Sequence, residues 1–290
     1  MQANGVRHTL LGWLLAFVVA AVAMIGSAAG APPDIPLKSS YPAVDVTDIW
    51  YKASQPGKGV QLVQTGSFVF ATVYIYGPDR KPTWVTGELT SPALGSNTFT
   101  GPLYVNTGPY FGGTWDQGLV TQRQAGTMTF VIQTFDTGML TYSVDGVTVS
   151  DAVQRQPLTL DDYNGIYFAL FTQTVTGCQT PSGNGSLTTL LGVQIIQGAT
   201  KPDGTATMTL QTQQLSPVGD GNTCNFSGTY SQLGRSGRFQ GSYVCKAGEV
   251  GNGAMAEMNN HVHQFSGRVA LASTNNGCVT SALITGLIPN

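Results

Sequence analysis

The sequence predicts an all-β protein of two small antiparallel, barrel-like domains that follow a cleaved signal peptide. Three observations support this fold class. Only 10% of the 290 residues are charged, and uncharged polar residues alternate with aromatic and β-branched ones, as they do on exposed faces of antiparallel sheets. Short strand-like runs recur between turn signals. After the first apolar segment, no helical periodicity extends beyond two turns.

Residues 1–29 have the pattern of an export signal. A short basic region precedes the apolar run Leu10–Ile25, and Ser27 and Ala29 suit positions −3 and −1 of a cleavage site. The alternative is a membrane anchor, but the apolar run is shorter than the roughly 20 residues of a spanning helix. We therefore expect cleavage after Ala29, an exported protein that is periplasmic or secreted, and no membrane span in the mature chain.

A first β domain is expected at residues 48–158, after an extended, proline-containing leader at residues 30–47. In Phe68–Tyr76 the aromatic residues alternate with aliphatic ones, so the two sets lie on opposite faces of one strand. The turn signal at residues 77–79 and a return strand at Thr83–Leu89 complete a hairpin.

A second β domain is expected at residues 160–290, after a short joint. The main reason for this division is that all four cysteines lie in the second half of the chain. Because an export signal places the chain outside the reducing cytosol, these cysteines are candidates for disulfide bonds.

The segment 224–245 predicts a hairpin together with its register. Folded at the turn signal Gly234–Arg235, it brings cysteines face to face at its open end, and strand alternation puts the facing pairs on one side of the sheet. These pairs are Cys224 with Cys245, Phe226 with Tyr243, Gly228 with Gly241, and Tyr230 with Phe239. Facing glycines permit the strong curvature of a barrel, and cross-strand neighbours are close enough for a disulfide.

A Cys224–Cys245 bond leaves Cys178 to pair with Cys278, which is one of three connectivities open to four cysteines. The second pair lies near the first and last strands of the second domain, so its bond brings those strands together. A sheet whose first and last strands touch is a closed barrel. The predicted disulfides are therefore Cys224–Cys245 and Cys178–Cys278.

Four motifs of the first domain occur together in a known module. They are Trp50-Tyr51, Pro56-Gly57-Lys58-Gly59, Tyr74-Ile75-Tyr76 and Pro82-Thr83-Trp84. By these motifs residues 48–158 resemble an uncharacterised exported β module of proteobacteria, in which a glycine is usual where this chain has Arg80. The resemblance implies an exported bacterial β domain and carries no activity. The second domain resembles small avidin- or lipocalin-type barrels only in its general architecture.

Motifs of nucleotide binding, serine or zinc hydrolysis and dithiol chemistry are absent, and a net charge of −2 gives no reason to expect nucleic acid as a partner. After signal removal His261 and His263 are the only histidines. On one strand face, with Glu257 nearby, they could hold a metal. Since no third ligand has recognisable spacing, an exposed polar edge is the preferred interpretation, and no cofactor is predicted.

Carboxylates give a weak indication of a hydrolase. The adjacent pair Asp161–Asp162 would point apart on an extended chain, which favours a solvated linker. Glu88 and Asp116 are lone acids near Trp84 and Trp115. Nothing in the sequence places these two acids together.

Aromatic side chains provide the candidate ligand contacts. Five of them in the first domain either stack on a sugar or pack in the core: Trp50, Tyr51, Trp84, Tyr110 and Trp115. Because tryptophan is highly buried on average, core packing is the preferred interpretation for the set. Trp115 follows a glycine-rich loop signal and is the best single candidate for a contact.

Together these features favour an exported, non-catalytic binding or interaction protein of the bacterial envelope. Its ligand, a carbohydrate or an apolar small molecule, would be held by aromatic loops of the first domain or by the mouth of a small second barrel. One alternative is an extracellular hydrolase that uses carboxylates or a metal at His261 and His263. Another is a structural envelope protein. An outer-membrane barrel is disfavoured by the polar outer face of the 224–245 hairpin.

Overall fold

The computed structural model describes residues 44–93, 95–216, 221–261 and 263–289. The signal segment and most of the leader lie outside these described residues. Within them, helix is limited to two three-residue 3-10 turns, Gln117–Leu119 and Pro181–Gly183, and no helix is long and apolar enough to cross a membrane. The prediction of an all-β protein with two barrel-like domains is confirmed.

Eight antiparallel strands form the first closed barrel, in which each strand pairs with its neighbours along the chain and the last pairs with the first. They are β1 (Asp48–Tyr51), β2 (Gly59–Thr65), β3 (Phe68–Tyr76), β4 (Pro82–Thr90), β5 (Thr98–Thr107), β6 (Thr121–Ile132), β7 (Thr137–Val144) and β8 (Val147–Arg155). The predicted hairpin is β3–β4. In its turn Arg80 has φ 62°, a left-handed conformation that a glycine would adopt without strain.

The interior of the first barrel is filled with side chains. Trp50, Phe99 and Phe130 are fully buried, and the Trp50 and Phe130 rings meet edge to face at 4.9 Å. On β3 the aliphatic side chains Val69 and Val73 point inward, while the aromatic set faces outward. The predicted alternation is thus observed, with the aliphatic face of β3 turned toward the interior.

A second set of eight antiparallel strands closes in the same up-and-down order. They are β9 (Gly165–Thr176), β10 (Gly185–Gln197), β11 (Ala206–Ser216), β12 (Thr223–Leu233), β13 (Ser236–Cys245), β14 (Val250–His261), β15 (Gln264–Ser273) and β16 (Val279–Leu287). Closure comes from pairing of β16 with β9. Cys178 and Cys278 are bonded beside this closing pair, and Cys224 is bonded to Cys245. Both predicted disulfides are confirmed.

The β12–β13 hairpin has the predicted register throughout, from Cys224 opposite Cys245 to Tyr230 opposite Phe239. Gly228 and Gly241 face each other so closely that a Cβ on Gly228 would collide with the backbone carbonyl of Gln240. The glycine pair therefore permits an approach of the two strands that no side chain would allow.

The two barrels are in contact through the β12–β13 turn. The amide of Gly234 donates to the carbonyl oxygen of Gln156 at 2.9 Å. The amide of Arg235 donates to Asp48 Oδ2 at 2.8 Å. Asp48 also pairs with the buried guanidinium of Arg155 at 2.8 Å. The end of the second barrel that carries the β12–β13 turn is therefore held against the first barrel.

Candidate ligand-binding cavity

The second barrel encloses a cavity of about 420 Å³. Loop residues that line it, among them Gly183, Asn222, Glu249 and Asn276, come from the connections after β9, β11, β13 and β15. In an up-and-down barrel these connections lie at one end. The turn at Gly234 follows β12 and lies at the other end, so the rim of the cavity faces away from the contact with the first barrel.

The wall of the cavity is apolar because strand alternation directs one residue in two inward. It includes Phe171, Leu191, Leu210, Phe226, Met255 and Leu271. Small inward residues keep the space open. A Cβ on Gly253 would lie 3.1 Å from Leu271 Cδ2 and 3.5 Å from the Phe226 ring. The first barrel, by contrast, has Trp50 and Phe130 at its centre, and the second has no tryptophan.

Packed aromatic rings close the inner end of the cavity. Tyr163 and Tyr230 meet edge to face at 5.4 Å, and Tyr167 and Phe265 do so at 4.8 Å. The Tyr167 hydroxyl donates to the carbonyl oxygen of Tyr163 at 3.0 Å, and burial raises the pKa of both Tyr163 and Tyr230 above the ordinary value. These phenols therefore stay neutral.

The rim is polar and carries both disulfides. Uncharged amide side chains at Gln173, Gln214, Asn222 and Asn276 line it together with Cys224–Cys245 and Cys178–Cys278. An apolar chamber with a few polar groups at its opening is the usual form of a small-molecule site. Both covalent bonds hold strand ends at this opening, which limits how far it can widen.

Glu249 is the one charged side chain among the described residues that line the cavity. The Tyr243 hydroxyl donates to Glu249 Oε1 at 2.6 Å, and the Tyr243 ring stacks on Phe226 with 5.3 Å between ring centroids. Burial, and then the hydrogen bond to Glu249, raises the pKa of Tyr243. The phenol therefore remains protonated and continues to donate to the carboxylate.

The five predicted aromatic contacts have different surroundings. Trp50 is fully buried, with its indole Nε1 donating to the carbonyl oxygen of Val46 at 2.8 Å, which agrees with the preferred interpretation of core packing and removes Trp50 from the candidate ligand contacts. Burial in the barrel interior gives this ring more apolar contact than a surface would. Tyr51 is half-buried. Trp84 (59% exposed), Tyr110 (72%) and Trp115 (64%) lie at the surface.

Exposed aromatic rings cluster on the outer face of β3 and β4. Tyr74 lies directly opposite Trp84, Tyr76 is opposite Pro82, and Phe70 is opposite Glu88. Tyr74 and Tyr76 are exposed to a similar degree as Trp84. Trp115 and Tyr110 belong instead to the β5–β6 loop, where Tyr110 packs against Phe111 with 4.8 Å between ring centroids.

The structure does not gather the residues of a metal site at His261 and His263. β14 ends at His261 and β15 begins at Gln264, so His263 lies in the turn and the expected shared strand face is wrong. Glu257 pairs with Arg268, whose Nε donates to Glu257 Oε2 at 2.8 Å. Across the part of the chain that is described, no group of three or more His, Cys, Asp or Glu side chains is placed to hold a metal.

The candidate acids also lie apart. Asp116 caps a 3-10 turn by accepting from the amide of Gly118 at 2.8 Å, whereas Glu88 points outward from β4 beside Phe70. The Asp161–Asp162 segment is bound to the second barrel, because the Asp161 amide donates to Gln232 Oε1 at 2.7 Å. Asp161 is half-buried, and burial raises its pKa, whereas Asp162 is exposed.

No protein-family model, curated protein or solved structure matches the chain. The assignment of the candidate site therefore rests on the geometry of the cavity alone. Sequence reasoning named the mouth of the second barrel and the inward face of the 224–245 hairpin, which includes Phe226 and Tyr243. It did not name Glu249, although the position of this residue in the turn just after Cys245 was a usable signal.

Proposed function

We propose that this is an exported, non-catalytic binding protein of the bacterial envelope that holds an apolar small molecule in its second barrel. The cavity of about 420 Å³ carries the proposal, since ligand pockets usually measure roughly 300–1,000 Å³. The cavity has apolar walls and a polar rim, which suit the binding of a small molecule. Two disulfides are consistent with a location outside the reducing cytosol, either the periplasm or the medium.

The other two classes have less support. A structural envelope protein needs only a packed interior such as that of the first barrel. It would not require the open cavity of the second barrel. A hydrolase needs a nucleophile or a pair of acids held together, whereas Glu88 and Asp116 have different surroundings on β4 and in the β5–β6 loop.

Replacement of Leu191 by tryptophan is expected to weaken ligand binding at least about tenfold, because the larger ring takes up space that the ligand needs. Titration with the neutral, apolar dye N-phenyl-1-naphthylamine, followed by its fluorescence, measures this. The wild-type protein should bind one equivalent of the dye.

Gln194→Trp is the matched control, because Gln194 lies on the same strand, β10, and is exposed on its outer face. This variant should bind the dye as the wild type does. Equal binding by the wild type and both variants would show that the dye binds elsewhere, and no binding by the wild type would contradict the proposal.

A second candidate function is glycan binding on the outer face of β3 and β4. The observation that favours it is the exposed row of Tyr74, Trp84 and Tyr76 next to uncharged hydrogen-bonding groups. Tyr74 OH donates to Gln61 Oε1 at 3.3 Å, and Asn106 Nδ2 donates to Thr86 Oγ1 at 3.1 Å. Aromatic faces stack on the apolar faces of sugars, and amides bond the hydroxyls.

If this surface binds glycans, Trp84→Ala should abolish retardation of the protein in native gels that contain a soluble polysaccharide. Phe168→Ala is the control, since Phe168 is a similarly exposed aromatic residue on the wall of the second barrel. Retardation that survives Trp84→Ala, or its absence from the wild type across a panel of neutral and acidic polysaccharides, would exclude this function.

A further inference from the structure

Among the described residues that line the cavity, Glu249 carries the one charge, and its side chain is fixed in place. Glu249 follows the sharp turn after β13, where the amide of Cys245 donates to the carbonyl oxygen of Glu249 at 2.8 Å. The amide of Gly248 donates back to the carbonyl oxygen of Cys245 at 2.9 Å. Because Cys245 is also bonded to Cys224, the backbone that carries the carboxylate is held at the rim.

The side chain of Glu249 is oriented as well as anchored. Its Oε1 accepts the hydroxyl proton of Tyr243, which is a buried residue of the cavity wall. One oxygen of the carboxylate is thus held at the wall. Oε2 has no hydrogen bond from any described residue, so it is available to a group that enters the cavity.

Glu249 also has no ion-pair partner among the residues that the structure describes. Within the described ranges, no lysine, arginine or histidine forms an ion pair with it. Asp48, Asp136 and Asp151, which are likewise shielded from solvent, all have such partners. A half-buried carboxylate beside an apolar chamber attracts a cation more strongly than it would in bulk water and repels an anion.

We infer that the cavity takes cationic amphiphiles, with the apolar body of the ligand in the chamber and an ammonium or similar head group at the Glu249 carboxylate. This inference depends on the proposed function, because it assumes that the chamber binds a ligand. The described residues supply the two parts that such a ligand requires, an uncharged apolar wall and one negative charge at the rim. An anionic amphiphile of the same length would place its charge against Glu249.

Three ten-carbon ligands that differ in head group test the inference: decylamine, 1-decanol and decanoate. Each is titrated against bound N-phenyl-1-naphthylamine at pH 7, where an alkylamine is protonated because its pKa lies, like that of lysine, near about 10.4. The wild type should bind decylammonium about tenfold more tightly than decanol and bind decanoate most weakly. In Glu249→Gln the three affinities should agree within about twofold.

Glu88→Gln is the matched control, because it removes one negative charge from the first barrel and should leave the wild-type order unchanged. A second measurement needs no variant. Raising NaCl from 20 to 500 mM should reduce the preference of the wild type for decylammonium over decanol, because salt screens the charge at the rim.

Three results would overturn the inference or its basis, and they are distinguishable. If Glu249→Gln keeps the preference for decylammonium, the carboxylate is not its source. If the wild type binds decanol as tightly as decylammonium at low salt, the inference fails while the proposed function stands. If neither the dye nor any of the three ligands binds the wild type, the proposed function itself fails.

Discussion

Replacement of Arg155 by methionine is expected to lower the free energy of unfolding of the first barrel by about 3–5 kcal/mol, since it leaves a buried charge without its partner. Arg155 is only 1% exposed and pairs with Asp48, whose side chain is also shielded from solvent. Its Nε donates to the carbonyl oxygen of Phe135 at 2.8 Å, and its Nη2 donates to that of Asp45 at 2.6 Å.

The guanidinium of Arg155 also lies over the Trp50 ring at 4.6 Å, so the variant loses a cation–π contact in addition. Removal of both charges should cost less than removal of one. We therefore expect the double variant Arg155→Met, Asp48→Leu to be more stable than Arg155→Met alone.

Urea unfolding followed by tryptophan fluorescence measures this effect. Trp50, Trp84 and Trp115 all lie in the first barrel and the second has none, so the signal reports on the first barrel. Arg123→Met is the control, because the Arg123–Asp145 pair is exposed on both sides and such pairs contribute little. Similar urea midpoints for Arg155→Met and Arg123→Met would contradict the expectation that the buried Arg155–Asp48 pair stabilises the first barrel more than an exposed pair does.

Loss of the Cys178–Cys278 bond is expected to have a comparable effect on the second barrel. The bonded residues are 100 positions apart, and in the chain-entropy model a loop of this length corresponds to at most about 4.7 kcal/mol. The Cys224–Cys245 bond spans 21 positions, which corresponds to about 3 kcal/mol. The double variant Cys178→Ala, Cys278→Ala should therefore be the less stable of the two disulfide-free proteins.

Far-UV circular dichroism in urea measures the unfolding of the double variant Cys178→Ala, Cys278→Ala and of the double variant Cys224→Ala, Cys245→Ala. Tryptophan fluorescence follows the unfolding of the first barrel separately. The barrel should still close without the longer bond, since β16 and β9 are paired from Val279 opposite Thr176 to Leu287 opposite Phe168. A reversed order of stability would mean that native contacts near Cys224–Cys245, and not loop length, determine the contribution of each bond.

Part of the candidate site could be predicted from the sequence because it depends on local rules. In the 224–245 segment a turn signal and the two-residue period of side chains specify which residues face each other. This predicted the Cys224–Cys245 bond and the inward position of Phe226 and Tyr243. The same period separated the two faces of Phe68–Tyr76 but did not reveal which face pointed outward.

The errors arise where distant segments meet. Core packing was the preferred interpretation for all five aromatic candidates. It is correct for Trp50, which packs against Phe130, 80 positions further along the chain, but not for the exposed side chains of Trp84, Tyr110 and Trp115. His261 and His263 were treated as one strand face, and only the observed pairing of His261 with Gln264 shows that the strand ends between them. Propensity and spacing contain no information on such contacts.

The sequence by itself determined the all-β class, the hairpin register and both disulfides. Turn chemistry and the alternation of side chains along a strand specify the class, the register and the Cys224–Cys245 bond, and elimination then leaves Cys178 to pair with Cys278. Only the tertiary structure decided that the first barrel is filled and the second is hollow, since that depends on the summed volumes of inward side chains from eight strands. It also decided the charge pairs. Asp48 meets Arg155 across 107 positions, whereas Glu249 meets no described cation, and such distant electrostatic pairing is fixed only when the barrels close.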